Sequence, residues 1–88
     1  MATKKAFEEW LKNNGLAASV RHYVSSVKNI SQKLTNKDLH NIDIFSYYNA
    51  HAYEKVKEQI FTDDGFIKIN LKHNHIYSSA LNHYGDFL

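Results

Sequence analysis

Six histidines are the residues of this chain whose type best suits a chemical centre. Imidazole binds zinc, copper or nickel. His73 and His75 stand two apart, with Asp63 and Asp64 upstream as the nearest acids in sequence that could join them. No two histidines have i, i+4 spacing with a matching acid, and there is no cysteine to supply a thiolate ligand or a disulfide. Solvated histidines at a helix start explain the pair, so the sequence predicts no metal site and no cofactor. His73-Asn74-His75 spells the name of a nuclease motif, but that motif is spread over a much longer ββα metal site. The tripeptide is a coincidence of letters. Ser25-Ser26 and Ser78-Ser79 fall inside predicted helices with no evident base to activate a hydroxyl. No glycine-rich phosphate loop occurs among the three glycines. Nothing here supports catalysis, and no catalytic residue is assigned.

The charged residues are more informative than the titratable ones. The net charge is +2, but it is unevenly laid out. Lys4 and Lys5 balance Glu8 and Glu9. From Trp10 to Lys37 the chain carries Lys12, Arg21, Lys28, Lys33 and Lys37 and no acid. Residues 38–64 then hold six acids against Lys55 and Lys57, and residues 65–88 return to a slight positive balance. Two basic elements flank an acidic one. A solvated helix face is the competing explanation for such runs.

These charges need elements to hold them, and the apolar periodicity is helical. Ala6, Phe7, Trp10 and Leu11 follow the i, i+3, i+4 rule, with Thr3 as N-cap and Gly15 in the left-handed position after the last turn. Val20, Tyr23, Val24, Val27, Ile30 and Leu34 form a stripe that predicts a second helix over about 18–34, with Arg21, His22, Ser25, Lys28, Asn29, Gln32 and Lys33 opposite. Thr35-Asn36-Lys37-Asp38 is a polar stop. Residues 41–45 alternate and are expected to run extended, plugging Ile42, Ile44 or Phe45 into the core. A third helix spans about 50–61, capped by Ser46 or Asn49, with Tyr53, Val56 and Ile60 inward. Thr62-Asp63-Asp64-Gly65 reads as a turn. Phe66 to Asn70 alternates again and is either a strand paired with residues 42–45 or a short helical turn. The last helix begins near Asn74 or His75 and buries Ile76, Tyr77, Ala80, Leu81, Tyr84, Phe87 and Leu88. The expected architecture is all-α: one domain, a compact bundle of four main helices.

At 88 residues, with 43% apolar residues and no proline, the chain has enough apolar surface for one packed core. The opening MATKKAFEEW lacks the apolar centre of a signal peptide, and apolar runs are only a few residues long. A cytoplasmic domain without a membrane partner is expected.

Two stretches resemble known domains. Phe7-Glu8-Glu9-Trp10-Leu11, then Asn14-Gly15-Leu16, then Val20-x-x-Tyr23-Val24-Ser25-Ser26-Val27 and on to Ile30 and Leu34, looks like the opening of the helical core-binding (SAM-like) domain of tyrosine recombinases. His75-x-Tyr77-Ser78-Ser79-Ala80-Leu81-Asn82-x-Tyr84-x-x-Phe87-Leu88 resembles the ending of small helical N-terminal domains of restriction-type endonucleases, including HNH and McrB-like proteins. Together they cover about half of the chain. The family pattern has Ser or Thr after Gly-Leu as a helix cap, whereas Ala17 and Ala18 stand here; Ser19 is expected to take over. The resemblance implies a non-catalytic module that clamps duplex DNA beside a separate catalytic domain, in a restriction-modification or recombinase setting. The stop at Phe87-Leu88 without a polar tail favours an excised domain.

On this basis the expected contact residues for duplex DNA are Lys12, Arg21, His22, Lys28, Asn29, Gln32, Lys33 and Lys72, with the second helix acting mainly on phosphates. The competing class is a protein-interaction or homodimerisation module of a nuclease, phage or defence protein, using Tyr47, Tyr48 and Trp10. Arginine is scarce, so base reading is a smaller part of the DNA expectation than phosphate affinity.

Overall fold

The computed structural model describes residues 3–40 and 42–88. Its architecture follows from where each helix can start and where its apolar stripe can go. Helix α1 runs Thr3–Asn13 and places Phe7 and Leu11 in the core. The capping role expected of the Thr3 side chain lies outside the described residues. Gly15 adopts φ +78°, and the Leu16 N–H reaches back to the Leu11 carbonyl at 2.9 Å. That six-to-one bond closes a Schellman motif, which needs a left-handed residue at the position Gly15 fills.

Helix α2 covers Val20–Asn29. It is shorter than its stripe suggests, because 3₁₀ turns at Ala17–Ser19 and Ile30–Lys33 flank it. Ser19 makes no side-chain capping bond; its N–H donates to Leu16 instead. The second 3₁₀ turn tightens the chain so that Leu34 leaves in an extended conformation and still enters the core beside Ile30. Two further 3₁₀ turns, Lys37–Leu39 and Ile44–Ser46, bury Leu39 and Ile44, and the second replaces extended chain at the end of the 41–45 stretch, whose first residue lies outside the described ones.

Helix α3 is Ala50–Phe61. Of the two candidate caps Asn49 holds the position, its side chain accepting from the N–H groups of His51 and Ala52. Tyr53, Val56 and Ile60 are buried. Residues 66–70 are helical: α4 spans Asp64–Lys72, and no strand occurs among the described residues. Asp63 decides this, since its carboxylate accepts from the Gly65 and Phe66 N–H groups and starts the helix one residue after α3 ends its cap. Phe66 and Asn70 then fall on the inner face with helical spacing, and Ile67 and Leu71 fall outside. Helix α5, Ile76–Phe87, follows a turn in which Asn74 and His75 both have positive φ. Among the described residues the all-α bundle thus has the four expected main helices and a fifth, shorter one, α4.

Helices α2 and α5 pack along each other as the centre, α1 lies against both, α3 packs on α5, and α4 closes against α3, α5 and the Ile30–Lys33 turn. Tyr84 sits at the middle, with its ring edge-on to Phe7 at 5.1 Å and to Tyr53 at 5.2 Å. Such T-shaped pairs contribute about 0.5–1.5 kcal/mol each beyond area burial. Both phenols are satisfied: Tyr53 donates to the Leu81 carbonyl at 2.6 Å and Tyr84 to that of Tyr47. Trp10, Val20 and Phe87, expected in the core, are half-buried at its rim.

Candidate nucleic-acid interface

On α2, a residue advances 100° about the axis, so Arg21, Ser25, Lys28, Asn29 and His22 fall within one sector of about 120°. Each of them is exposed, while Tyr23, Val24, Ser26 and Val27 occupy the opposite, inner sector. Gln32 and Lys33 continue the exposed side through the 3₁₀ turn. Arg21 and Lys28 are separated by about 10 Å along the axis. The helix cannot be turned over, because Val27 and Ile30 are almost completely buried. Neither Arg21, Lys28 nor Lys33 forms an ion pair with any described residue.

Two expected contact residues stand apart from this face. Lys12 is at the C-terminal end of α1 and pairs with Glu9 at 3.9 Å, both exposed. Lys72 is the last residue of α4. The structure instead brings in Lys4, which the sequence balance set against Glu8 and Glu9. Lys4, exposed in the first turn of α1, shares a cavity with Lys28, Asp43, Phe45 and Ser46. No spacing in the sequence marks it, since Lys28, Phe45 and Ser46 come from two other elements.

The serines and histidines weighed as catalytic or metal-binding groups sit as follows. Ser26 Oγ donates to the His22 carbonyl at 2.7 Å, and Ser78 Oγ to that of His75 at 2.9 Å. Both hydroxyls are back-bonded to the main chain. His73 lies edge-on to Tyr77, and His75 Nδ1 faces the Asn70 side-chain amide at 3.3 Å. Asp63 and Asp64 are at the far end of α4, a nine-residue helix about 13 Å long. No three His, Asp or Glu side chains converge among the described residues. The aromatic alternative is thinned as well: Tyr47 and Trp10 are half-buried, and Trp10 stacks on Phe7 at 6.2 Å. Tyr48, at 75% exposure, is free.

A second groove, of about 520 Å³, runs between α3 and the 36–47 connection and is lined by Asp38, Leu39, Ile42, Tyr47, Lys55 and Gln59 among others. Its charges are mixed, and Glu54, on the same helix, is paired with Lys57 at 3.2 Å. Of the acid-rich segment, Asp38 lines this groove, whereas Asp43 lies beside Lys28 in the smaller cavity. None of the described helices is long and apolar enough to cross a membrane. No protein-family model matches the chain, and neither a curated protein nor a solved structure matches it.

Proposed function

We propose that this domain is a non-catalytic DNA-binding module that holds duplex DNA mainly by its phosphates, through the outer face of α2. The observation that carries this reading is the placement of Arg21, Lys28 and Lys33 on the exposed side of a helical stretch that itself contains no acid and whose other side is locked in the core. Asn29, Gln32 and His22 between them supply donors for sugar-phosphate oxygens or base edges. The likeness of residues 7–34 to the core-binding domain of tyrosine recombinases points to the same role, as an accessory to a separate nuclease or recombinase domain. Lysine-dominated contact gives affinity more than sequence choice.

Fluorescence anisotropy with a short labelled duplex, at several salt concentrations, tests the reading. Each phosphate contact releases counterions, so affinity should fall steeply with salt. Arg21→Ala/Lys28→Ala should weaken binding and lower the salt slope by up to about 2. Absence of binding at low salt removes the DNA reading. Unchanged binding by the double variant removes the contact face.

A second reading, a protein-interaction module, draws on one specific observation. Ile67 and Leu71, 43% and 62% exposed, stand at i, i+4 on the outer side of α4. Concentration-dependent self-association without DNA binding, abolished by Leu71→Glu, is the result that favours it.

A further inference from the structure

We propose that the cavity between Lys4 and Lys28 seats one unpaired nucleotide of the DNA that α2 holds, phosphate on the lysines and base against Phe45. The inference rests on the DNA-binding reading and names what the adjoining cavity takes. Its volume is about 370 Å³, in the size range of small-molecule sites. Three elements meet there: the first turn of α1 brings Lys4, the last turn of α2 brings Lys28, and the Ile44–Ser46 turn brings Phe45 and Ser46. Neither lysine is ion-paired with a described residue.

The Phe45 ring is positioned by the core beneath it, 6.3 Å from Phe7 and edge-on to Tyr84 at 5.7 Å. It is therefore a wall of fixed orientation, the feature on which single-stranded bases stack. Asp43 makes the cavity selective. One of its carboxylate oxygens accepts the Phe45 N–H at 3.0 Å, and its main-chain oxygen takes the Ser46 hydroxyl at 2.6 Å. The other carboxylate oxygen meets no donor among the described residues. A carboxylate beside two ammonium groups weakens the pull on a bare anion. A nucleotide satisfies all three charges, since its phosphate meets the lysines while an exocyclic amino group of adenine, cytosine or guanine donates to Asp43. A base inside a duplex has its face stacked and its amino group paired, so the cavity takes a nucleotide at a strand end or out of the helix.

The test compares a blunt duplex with the same duplex bearing one unpaired adenosine or cytidine at each strand end, by anisotropy at low salt with the intact chain. The overhang should tighten binding by about tenfold, from one base–aromatic stack. Lys4→Ala and Phe45→Leu, each checked for a native melting transition, should each erase that difference; Lys4→Ala serves if Phe45→Leu fails to fold. In parallel, amide shifts at Lys28, Phe45 and Ser46 should respond to cytidine monophosphate and not to inorganic phosphate. Equal affinity for blunt and overhanging duplexes overturns this inference and leaves the DNA-binding reading standing. No binding to either duplex overturns both, and an equal response to phosphate alone reduces the cavity to an unselective anion site and overturns the nucleotide assignment.

Discussion

Asp63 and Thr35, 28 residues apart, are joined by two hydrogen bonds: the Asp63 carboxylate accepts the Thr35 N–H at 2.8 Å and the Thr35 hydroxyl at 3.0 Å. The same carboxylate takes the N–H groups of Asn36, Gly65 and Phe66. One buried side chain thus starts α4, ends the connection after α2, and fixes the two against each other. Burial by itself pushes its carboxyl up, but the Thr35, Asn36 and Phe66 N–H groups and the Thr35 hydroxyl outweigh it, so Asp63 titrates below the usual carboxylate range.

A depressed folded-state value means that Asp63 contributes stability above the unfolded carboxyl value, about 3.9, and loses it as pH falls through the folded value. Asp63→Asn keeps one acceptor oxygen but turns an amide donor toward the Asn36 N–H. It should cost about 2–4 kcal/mol near neutral pH, from lost charged hydrogen bonds and an unpaired buried donor. Urea unfolding from neutral to strongly acidic pH checks this. The variant's stability should fall less than the wild type's over the acidic range.

Gly65 is constrained by space rather than by φ. A Cβ there would lie 2.5 Å from the Lys33 carbonyl oxygen and 3.0 Å from the Thr35 nitrogen, both main-chain atoms that cannot swing aside. Alanine raises helix propensity by at most about 1 kcal/mol. Overpacking against backbone costs about 1–3 kcal/mol. Gly65→Ala should therefore destabilise, lowering Tm by several degrees, whereas Ile67→Ala on the exposed side of α4 should shift it little. Thermal unfolding monitored by far-UV circular dichroism decides between the two signs.

The aromatic centre sets the alkaline limit. Burial, with the Asp43 carboxylate adding to it, pushes the Tyr84 phenol up to about 12. Burial first, then Tyr84 and Glu54, drives Tyr53 higher still. Raised values favour the neutral forms, so this stability is full below the unfolded phenol value of about 10 and is lost as pH climbs toward the folded ones. In a spectrophotometric titration, Tyr53 and Tyr84 should ionise only together with loss of the helical signal. Ionisation of all six tyrosines while the fold persists would contradict this placement.

What the sequence displayed, and what it hid, follows from how far each signal reaches. The α2 stripe repeats over several turns, and Asn49 stands next to the helix it caps, so local spacing suffices for both. Phe66 to Asn70 has apolar residues compatible with either period, and the decisive inward residue is polar. Asn70 is buried because its side chain accepts the Ser78 N–H at 3.0 Å and reaches His75, partners supplied only by the next helix. Leu39 is a lone apolar residue in a polar stretch, with no periodicity to mark its burial. For the candidate interface, the residues from Arg21 to Lys33 were legible because α2 and the 3₁₀ turn that continues it carry them in one unbroken stretch. Lys4 was not, since its neighbourhood with Lys28 and Phe45 exists only after α1 and the Ile44–Ser46 turn have packed.

Amide chemical-shift mapping of the labelled protein against a short duplex at low salt reads the contact face residue by residue. Perturbations should cluster at Arg21, His22, Ser25, Lys28, Asn29, Gln32 and Lys33, extend to Lys4 and Ser46, and disappear as salt is raised. A spectrum unchanged by DNA, or one perturbed at Ile67 and Leu71 while α2 stays silent, would contradict that contact face.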